Sequence, residues 1–324
     1  MNNSGEINAN RQELLRRTEV RGTDANSWGW IVKCRNCGHI YGCNSTDFWE
    51  RKCPTCQKGR PGLEVPTERD GKNWTHEELV IAFHLYNQIP FGTIHARNPM
   101  VRELAAILGR KVGSASYKLS NFARLDPSLQ ARGIRGFEHG SRMEEQVWRE
   151  FADRPEALAF ESARFLAQLL ERPIEQVAEI DESDLPPPGV ERDALVRLRV
   201  NQSFFRKRVL SAYEFRCCVT GLAVPELLVA SHIVPWAEDP ANRLNPRNGL
   251  CLNPLHDRAF DRYLMWVDER YVVRLSPALR GEAAPSSAAL DWLLSFEGKP
   301  LLLPEMFRPD AGLLLLHARK CHMR

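Results

Sequence analysis

Apolar positions recur at helical spacing between residues 75 and 125. Thr75-His76-Glu77-Glu78 has the form of a capping box, and Leu79, Ala82, Phe83 and Tyr86 then fall on one stripe before Pro90 stops the helix. Asn98-Pro99 opens a second helix with Leu104, Ala105 and Leu108 inward and Gly109 at its end. Ser114 caps a third, which buries Leu119 and Phe122 and terminates at Asp126-Pro127. The pattern shortens in the C-terminal third. Leu227-Leu228-Val229-Ala230 reads as a strand with His232 just past its end, and Gly249-Leu250-Cys251-Leu252 as a further strand or a helix entry. Pro254 then precedes a helix in which Leu255 and Ala259, four apart, share a buried side.

Two helices, a short glycine-containing turn and a third helix follow helix-turn-helix logic. The third helix leaves Ser116, Tyr117, Lys118, Asn121 and Arg124 on its outer side. If it enters a major groove, Asn121 can read adenine, and Lys118 or Arg124 can reach guanine or phosphate. A three-helix bundle with a polar outer face is the alternative.

Ahead of these helices stand Cys34-x2-Cys37 and, after fifteen residues, Cys53-x2-Cys56. Four thiolates close a tetrahedral shell around zinc, so this spacing predicts a structural zinc ribbon. Ile40, Tyr41, Phe48 and Trp49 supply apolar cover, and Cys43 is a bystander. Disulfides are the competing reading. The first thirty residues are polar and charged, unlike a secretory signal, which favours zinc and a reducing cytoplasm. Lys33, Arg35, Arg51, Lys52, Lys58 and Arg60 surround the knuckles, as a phosphate-binding or simply solvated basic face.

At 324 residues, 43% apolar and 26% charged, the chain suffices for several small cores and contains no membrane-length apolar run. The net charge of +3 conceals segregation. Lys and Arg outnumber Asp and Glu ten to five over residues 97–149, fall to four against twelve over 150–195, and return to ten against six over 196–262. Two basic blocks around an acidic connector fit a polyanion partner for the outer blocks. Asp184-Leu185-Pro186-Pro187-Pro188-Gly189 closes the connector as a stiff boundary.

His232, Asn248 sixteen residues later and His256 eight beyond that carry candidate hydrolytic chemistry. Imidazole titrates near neutrality, so His232 suits a general base that activates water. Asn248 and His256 suit ligands of one divalent ion that relieves charge on a scissile phosphate. Two strands and a helix around one ion is a ββα-metal arrangement.

Arg216-Cys217-Cys218-Val219-Thr220-Gly221, Ala230-Ser231-His232-Ile233-Val234-Pro235-Trp236, Asn248-Gly249-Leu250-Cys251-Leu252 and Leu255-His256-Asp257-Arg258-Ala259-Phe260-Asp261 resemble the HNH endonucleases, over roughly residues 200–275. The tail from Gly298 to His317 resembles that family's ending, and Lys118-Leu119-Ser120-Asn121-Phe122 with Leu125-Asp126-Pro127 is similar, more faintly, to a segment of restriction-type relatives. The resemblance implies DNA cleavage with magnesium or manganese, His232 as base, and Asn248 and His256 around the metal. Many members carry Asp where this chain has Ser231, so the ion lacks its usual carboxylate; Asp261, then Asp257, are the nearest replacements. The paired structural zinc cysteines of some members are missing from this domain. Cys251 reads as a core residue, His317 as structural or exposed, and Arg258 or Arg262 as a phosphate contact.

The resulting expectation is an α+β multidomain protein. It comprises a polar tail (1–24), a zinc ribbon (25–68), a helix-turn-helix-like domain (69–130), an acidic helical connector (131–195) and an HNH nuclease domain (196–324). Its partner would be double-stranded DNA and its role restriction or defence, with a homodimer or sequential nicking needed to cut both strands. The competing class is a nucleic-acid-binding regulator that has lost activity, which Ser231 makes conceivable.

Overall fold

The computed structural model describes residues 2–134, 140–280 and 287–322. The chain divides into two compact units, Met1–Asn87 with Phe91–Val200, and Gln88–Pro90 with Asn201–Arg324.

The first unit begins with an antiparallel sheet in the order β1 (Gln12–Arg21), β2 (Trp28–Cys34), β3 (Ile40–Asn44). Leu14, Trp30, Val32, Tyr41, Cys43 and Phe48 form one buried cluster, so Cys43 is a core thiol. Residues 1–24 are therefore not a polar tail. Their charges had suggested one, but Glu13 and Arg16 are buried as ion pairs: Glu13 meets Arg35 at 2.7 Å and Arg172 at 3.1 Å, and Arg16 meets Glu68 at 2.7 Å. The interleaved Leu14 and Leu15 are buried as well, Leu15 against Ile31 and Ala106.

Helices α1 (His76–Tyr86), α2 (Pro99–Leu108) and α3 (Val112–Ala123) follow. Thr75 and Glu78 form the expected capping box, Asn98 caps α2, and Gly109 ends it in the left-handed region at φ 63°. α3 starts two residues before Ser114, after Lys111, with no side-chain cap. The one-turn α4 (Pro127–Gln130) comes next, then α5 (Arg142–Phe151), α6 (Pro155–Leu170) and the short α7 (Ile174–Val177). α5 and α6 pack on α1, and α5 also covers α3. Among the described residues no helix is long and apolar enough to cross a membrane.

α8 (Val190–Ala212) runs from the first unit into the second. The second unit contains the two-stranded antiparallel sheet β4 (Val229–His232) with β5 (Gly249–Leu252), then α9 (Pro254–Asp261), the hairpin β6 (Met265–Val267) with β7 (Val273–Leu275), α10 (Ala288–Leu294) and α11 (Ala311–His322). α9 packs on β4, β5 and β6, which makes two strands and a helix the local frame. The expected burial of Leu255 fails. It is 42% exposed, and the inward side of α9 is His256, Ala259 and Phe260, spaced three and four apart.

Candidate active site and metal centres

The β4–β5 register sets Ser231 opposite Leu250 and His232 opposite Gly249. His232 thus ends one strand beside the start of the next, with residues 233–248 looping between them. The loop is held by Asn248. Its Oδ1 accepts from the Val234 N–H at 2.8 Å, and its Nδ2 donates to the carbonyls of Val234 at 3.1 Å and Asn242 at 3.2 Å. The side chain is wholly buried and its amide is engaged at both ends. Asn248 is placed as a clamp on the loop, not as an open ligand position as the spacing had suggested.

The clamped loop also holds His232. The Arg243 carbonyl lies 3.0 Å from His232 Nε2, and a carbonyl only accepts, so Nε2 carries the ring proton and Nδ1 the lone pair. Arg243 is itself tied down by Nε donating to the Trp236 carbonyl at 2.8 Å. Phe205 of α8 stacks under the imidazole at a centroid distance of 3.7 Å, and Trp236 meets it edge-on at 5.6 Å. Burial lowers the His232 pKa, against the opposing pull of the Arg243 carbonyl. A neutral ring with one free nitrogen is the form a general base requires.

Space around this stack is fully used. A Cβ built on Gly249 would lie 2.4 Å from Val209 Cγ2 and 3.0 Å from Phe205 Cζ, so only glycine lets the strand approach α8 there.

His256 occupies the first turn of α9. Asn253 caps that helix, its Oδ1 accepting from the Leu255 and His256 N–H groups at 3.1 and 3.0 Å. His256 Nδ1 lies 3.1 Å from the same Oδ1 and 2.9 Å from Asn253 Nδ2: a proton on Nδ1 donated to Oδ1 leaves the lone pair on Nε2, whereas accepting from Nδ2 puts the proton on Nε2. That Nε2 is buried without a hydrogen-bond partner. Burial depresses the ring's pKa to about 4, so it is neutral near pH 7. In the tautomer with the proton on Nδ1, the orphaned Nε2 fits a metal ligand.

The oxygen donors on the same strand and helix are Ser231, Asp257 and Asp261; among the described residues His256 and these carboxylates do not form a group of three donors within 4.8 Å of one another. Ser231 Oγ is also buried and lacks a well-formed hydrogen bond, although it faces the Asp257 carboxyl and lowers its pKa. Burial nonetheless raises Asp257. Asp261, which is exposed, is raised by desolvation and then by the Asp257 charge, as expected for two carboxylates four residues apart on one helix. Asp257, ranked second from the sequence, is the one that meets Ser231. Arg258 and Arg262 are exposed nearby and lower Asp261. Asn248 aside, a single nitrogen with one or two carboxylates leaves most of a divalent shell to water, an arrangement common for hard cations.

The four cysteines make a separate centre. Their Sγ atoms all lie within 4.8 Å of one another, with Cys34 to Cys56 and Cys37 to Cys53 at 3.6 Å. A tetrahedron with Zn–S bonds of about 2.3 Å has an edge of about 3.8 Å, so the spacing fits zinc and exceeds a disulfide bond. Burial opposes ionisation of Cys34, yet the N–H groups of Cys37 and Asn36 and the Gln12 amide bring its pKa to about 6. Among the described residues this is the one grouping of three or more His, Cys, Asp or Glu donors within such reach. Of the surrounding cations, Lys33 pairs with Glu103, Arg35 with Glu13 and Arg51 with Asp47, while Lys52, Lys58 and Arg60 are exposed.

The supposed reading face of α3 is corrected. Lys118 pairs with the fully buried Glu144, Asn121 is 1% exposed and donates to the same carboxylate at 3.2 Å, and Arg124 reaches Glu145 at 3.1 Å. The capped N-terminus of α5 covers three of the four residues expected to touch DNA, leaving Tyr117 at 44% exposure. Helical periodicity told which side of α3 was polar, but not that an acidic helix from the connector would bury it.

Phe205, Asn253 and the Arg243 carbonyl were missed in the sequence. Asn253-Pro254 was detectable as a capping signal, whereas nothing local marks Phe205 as the partner of a histidine twenty-seven residues later. His317, left between a structural and an exposed role, is structural: it is 4% exposed, stacks on Phe260 at 3.7 Å and bonds its carbonyl through Nε2 at 3.1 Å.

No curated protein matches this chain. Residues 217–268, which span β4, the clamped loop, β5, α9 and β6, match the family model described as HNH endonuclease. The chain therefore carries an HNH endonuclease-family domain in its C-terminal third, together with an N-terminal four-cysteine cluster that fits a zinc ribbon.

Proposed function

We propose that this protein is a metal-dependent DNA endonuclease with His232 as general base. The observation that carries the reading is His232, whose Nε2 is anchored on the Arg243 carbonyl and whose Nδ1 is free, on a strand packed against the helix that bears His256, whose buried Nε2 has no partner. His232 Nδ1 takes the proton of the attacking water. The Arg243 carbonyl holds the opposite N–H and stabilises the imidazolium that forms. His256 Nε2, with Asp257 or Asp261, would hold magnesium or manganese, which supplies charge stabilisation for the phosphate and the leaving oxygen. Asn248 acts by positioning the loop, and Arg258 or Arg262 steadies the phosphate. Structural zinc occupies Cys34, Cys37, Cys53 and Cys56. Restriction or defence against foreign DNA is the biological role this reading favours, with one site cutting one strand and a homodimer cutting both.

One observation favours the rival reading of a binder without activity: Ser231 stands where a carboxylate would strengthen metal binding. A plasmid assay decides between them. Purified protein with manganese or magnesium nicks or linearises supercoiled DNA, and His232→Ala abolishes cleavage while retaining binding. Absence of metal-dependent cleavage across differently modified plasmid and genomic DNAs would establish the binder.

A further inference from the structure

Beside His256 stands a pair of aromatic rings to which neither the family match nor the hydrolytic mechanism assigns a task. Trp292 of α10 lies 5.2 Å from the His256 ring at 64°, and Phe296 lies 5.0 Å from it at 85°. The two also meet each other edge-on at 5.1 Å. Their combined cover explains why His256 is wholly buried, yet Trp292 keeps 43% of its own surface exposed. Core packing alone does not favour leaving so large an apolar ring open to water. Lys299 places its ammonium 4.7 Å from the Phe296 centroid and is itself exposed.

An exposed indole, a second ring that braces it and a cation within a few ångströms are the elements of a surface that stacks a nucleobase and attracts its phosphate. Their position next to the proposed ligand nitrogen supplies the rest. A ring stacked on the open side of Trp292 lies one ring's thickness beyond a side chain already in contact with His256, within reach of the nucleotide bearing the scissile phosphate or of its neighbour. A base inside a duplex has both faces covered by its neighbours and is not free to stack there. The occupant is therefore an unpaired base.

We propose that Trp292, braced by Phe296 and flanked by Lys299, is a stacking subsite for an unpaired nucleobase beside the cleaved phosphate. The substrate then has a single-stranded, frayed or extruded nucleotide at the cut. This inference rests on the nuclease reading for the identity of the ligand. Trp292 is a positioning residue in it.

The test uses the full chain carrying His232→Ala, so that bound strand is not consumed, and follows binding of a short fluorescein-labelled single strand and of its blunt duplex by anisotropy in manganese. Adding Trp292→Ala weakens single-strand binding at least about fivefold, the low end for loss of one stacked base, and weakens duplex binding less. Trp292→Phe, which keeps an aromatic face, restores most of the single-strand affinity. Unchanged single-strand binding by the Trp292→Ala protein, equal losses on strand and duplex, failure of Trp292→Phe to restore binding, or no single-strand binding by the His232→Ala parent would each overturn the subsite. Plasmid nicking by the wild-type chain is scored separately, so the nuclease reading can stand when the subsite falls, and the subsite can be detected where no cleavage occurs.

Discussion

Replacing Asn248 by Asp separates two roles that the position could serve. As a metal ligand, the residue would gain from the change, because a carboxylate binds magnesium or manganese more strongly than an amide oxygen does. As a loop clamp, it would lose. The retained oxygen can still accept from the Val234 N–H, but the second oxygen would face the carbonyls of Val234 and Asn242, which now receive hydrogen bonds at 3.1 and 3.2 Å. Asn248→Ala gives the scale: it strands two carbonyls and one N–H in a position with no exposure. At about 1–3 kcal/mol for each unsatisfied group, with partial relaxation of the loop, the loss is about 3–5 kcal/mol. Asn248→Asp adds an unpaired buried charge and is at least as harmful. Arg243 lies on the same loop, so its carbonyl leaves His232 Nε2 and the base loses its orientation. We expect both variants to melt well below wild type and to nick plasmid at under a hundredth of its rate at any manganese concentration, about 3 kcal/mol in barrier terms. An Asn248→Asp protein that cleaves normally, or needs less metal, would refute the clamp and restore the ligand.

The depressed His232 pKa puts the acid limb of kcat/KM below pH 6.5, since the base stays deprotonated further into acid; a midpoint above 6.5 in a pH–rate profile would contradict its burial. His317 has a folded pKa of about 4 against an ordinary value near 6.5. The unfolded chain therefore binds the extra proton first, and up to about 3 kcal/mol of stability is lost as pH falls from 6.5 towards 4 and not beyond. Denaturant titrations across that range should show the slope in the parent and a shallower one in His317→Gln. Cleavage should stop when divalent ions are removed and return at least as well with manganese as with magnesium, because imidazole nitrogen suits manganese better. Ser231→Asp should then lower the manganese concentration needed for half-maximal nicking. Glu144→Ala, which leaves Lys118 and Arg124 without their buried partner, should destabilise the first unit by about 3–5 kcal/mol in thermal or denaturant melts. A Lys118→Ala protein that keeps its melting temperature but loses DNA affinity would reinstate α3 as a reading helix.

Local signals in the sequence were legible where local physics decides. Thr75, Asn98 and Gly109 mark helix ends because the cap is made within four residues, and the four cysteines announce their centre because sulfur spacing and metal geometry match. The HNH-family match at residues 217–268 was legible for the same reason of spacing. What escaped was decided by partners far along the chain. Arg16 and Glu13 look like tail residues until Glu68 and Arg172 neutralise them, and Asn121 looks like a base reader until Glu144 arrives from α5. Asn248 was assigned a ligand's role because type and spacing fit one; only the geometry of Val234 and Asn242 shows the amide already engaged.

The Phe205 ring under His232 has one more implication. It is 2% exposed and lies against the strand that starts at Gly249, so one aromatic side chain serves both as interior packing and as the seat of the proposed base. A methyl at position 249 would stand 2.4 Å from Val209 Cγ2 and 3.0 Å from Phe205 Cζ, so whatever shifts to admit it moves the floor on which His232 rests, and the interior and the proposed base cannot be varied independently.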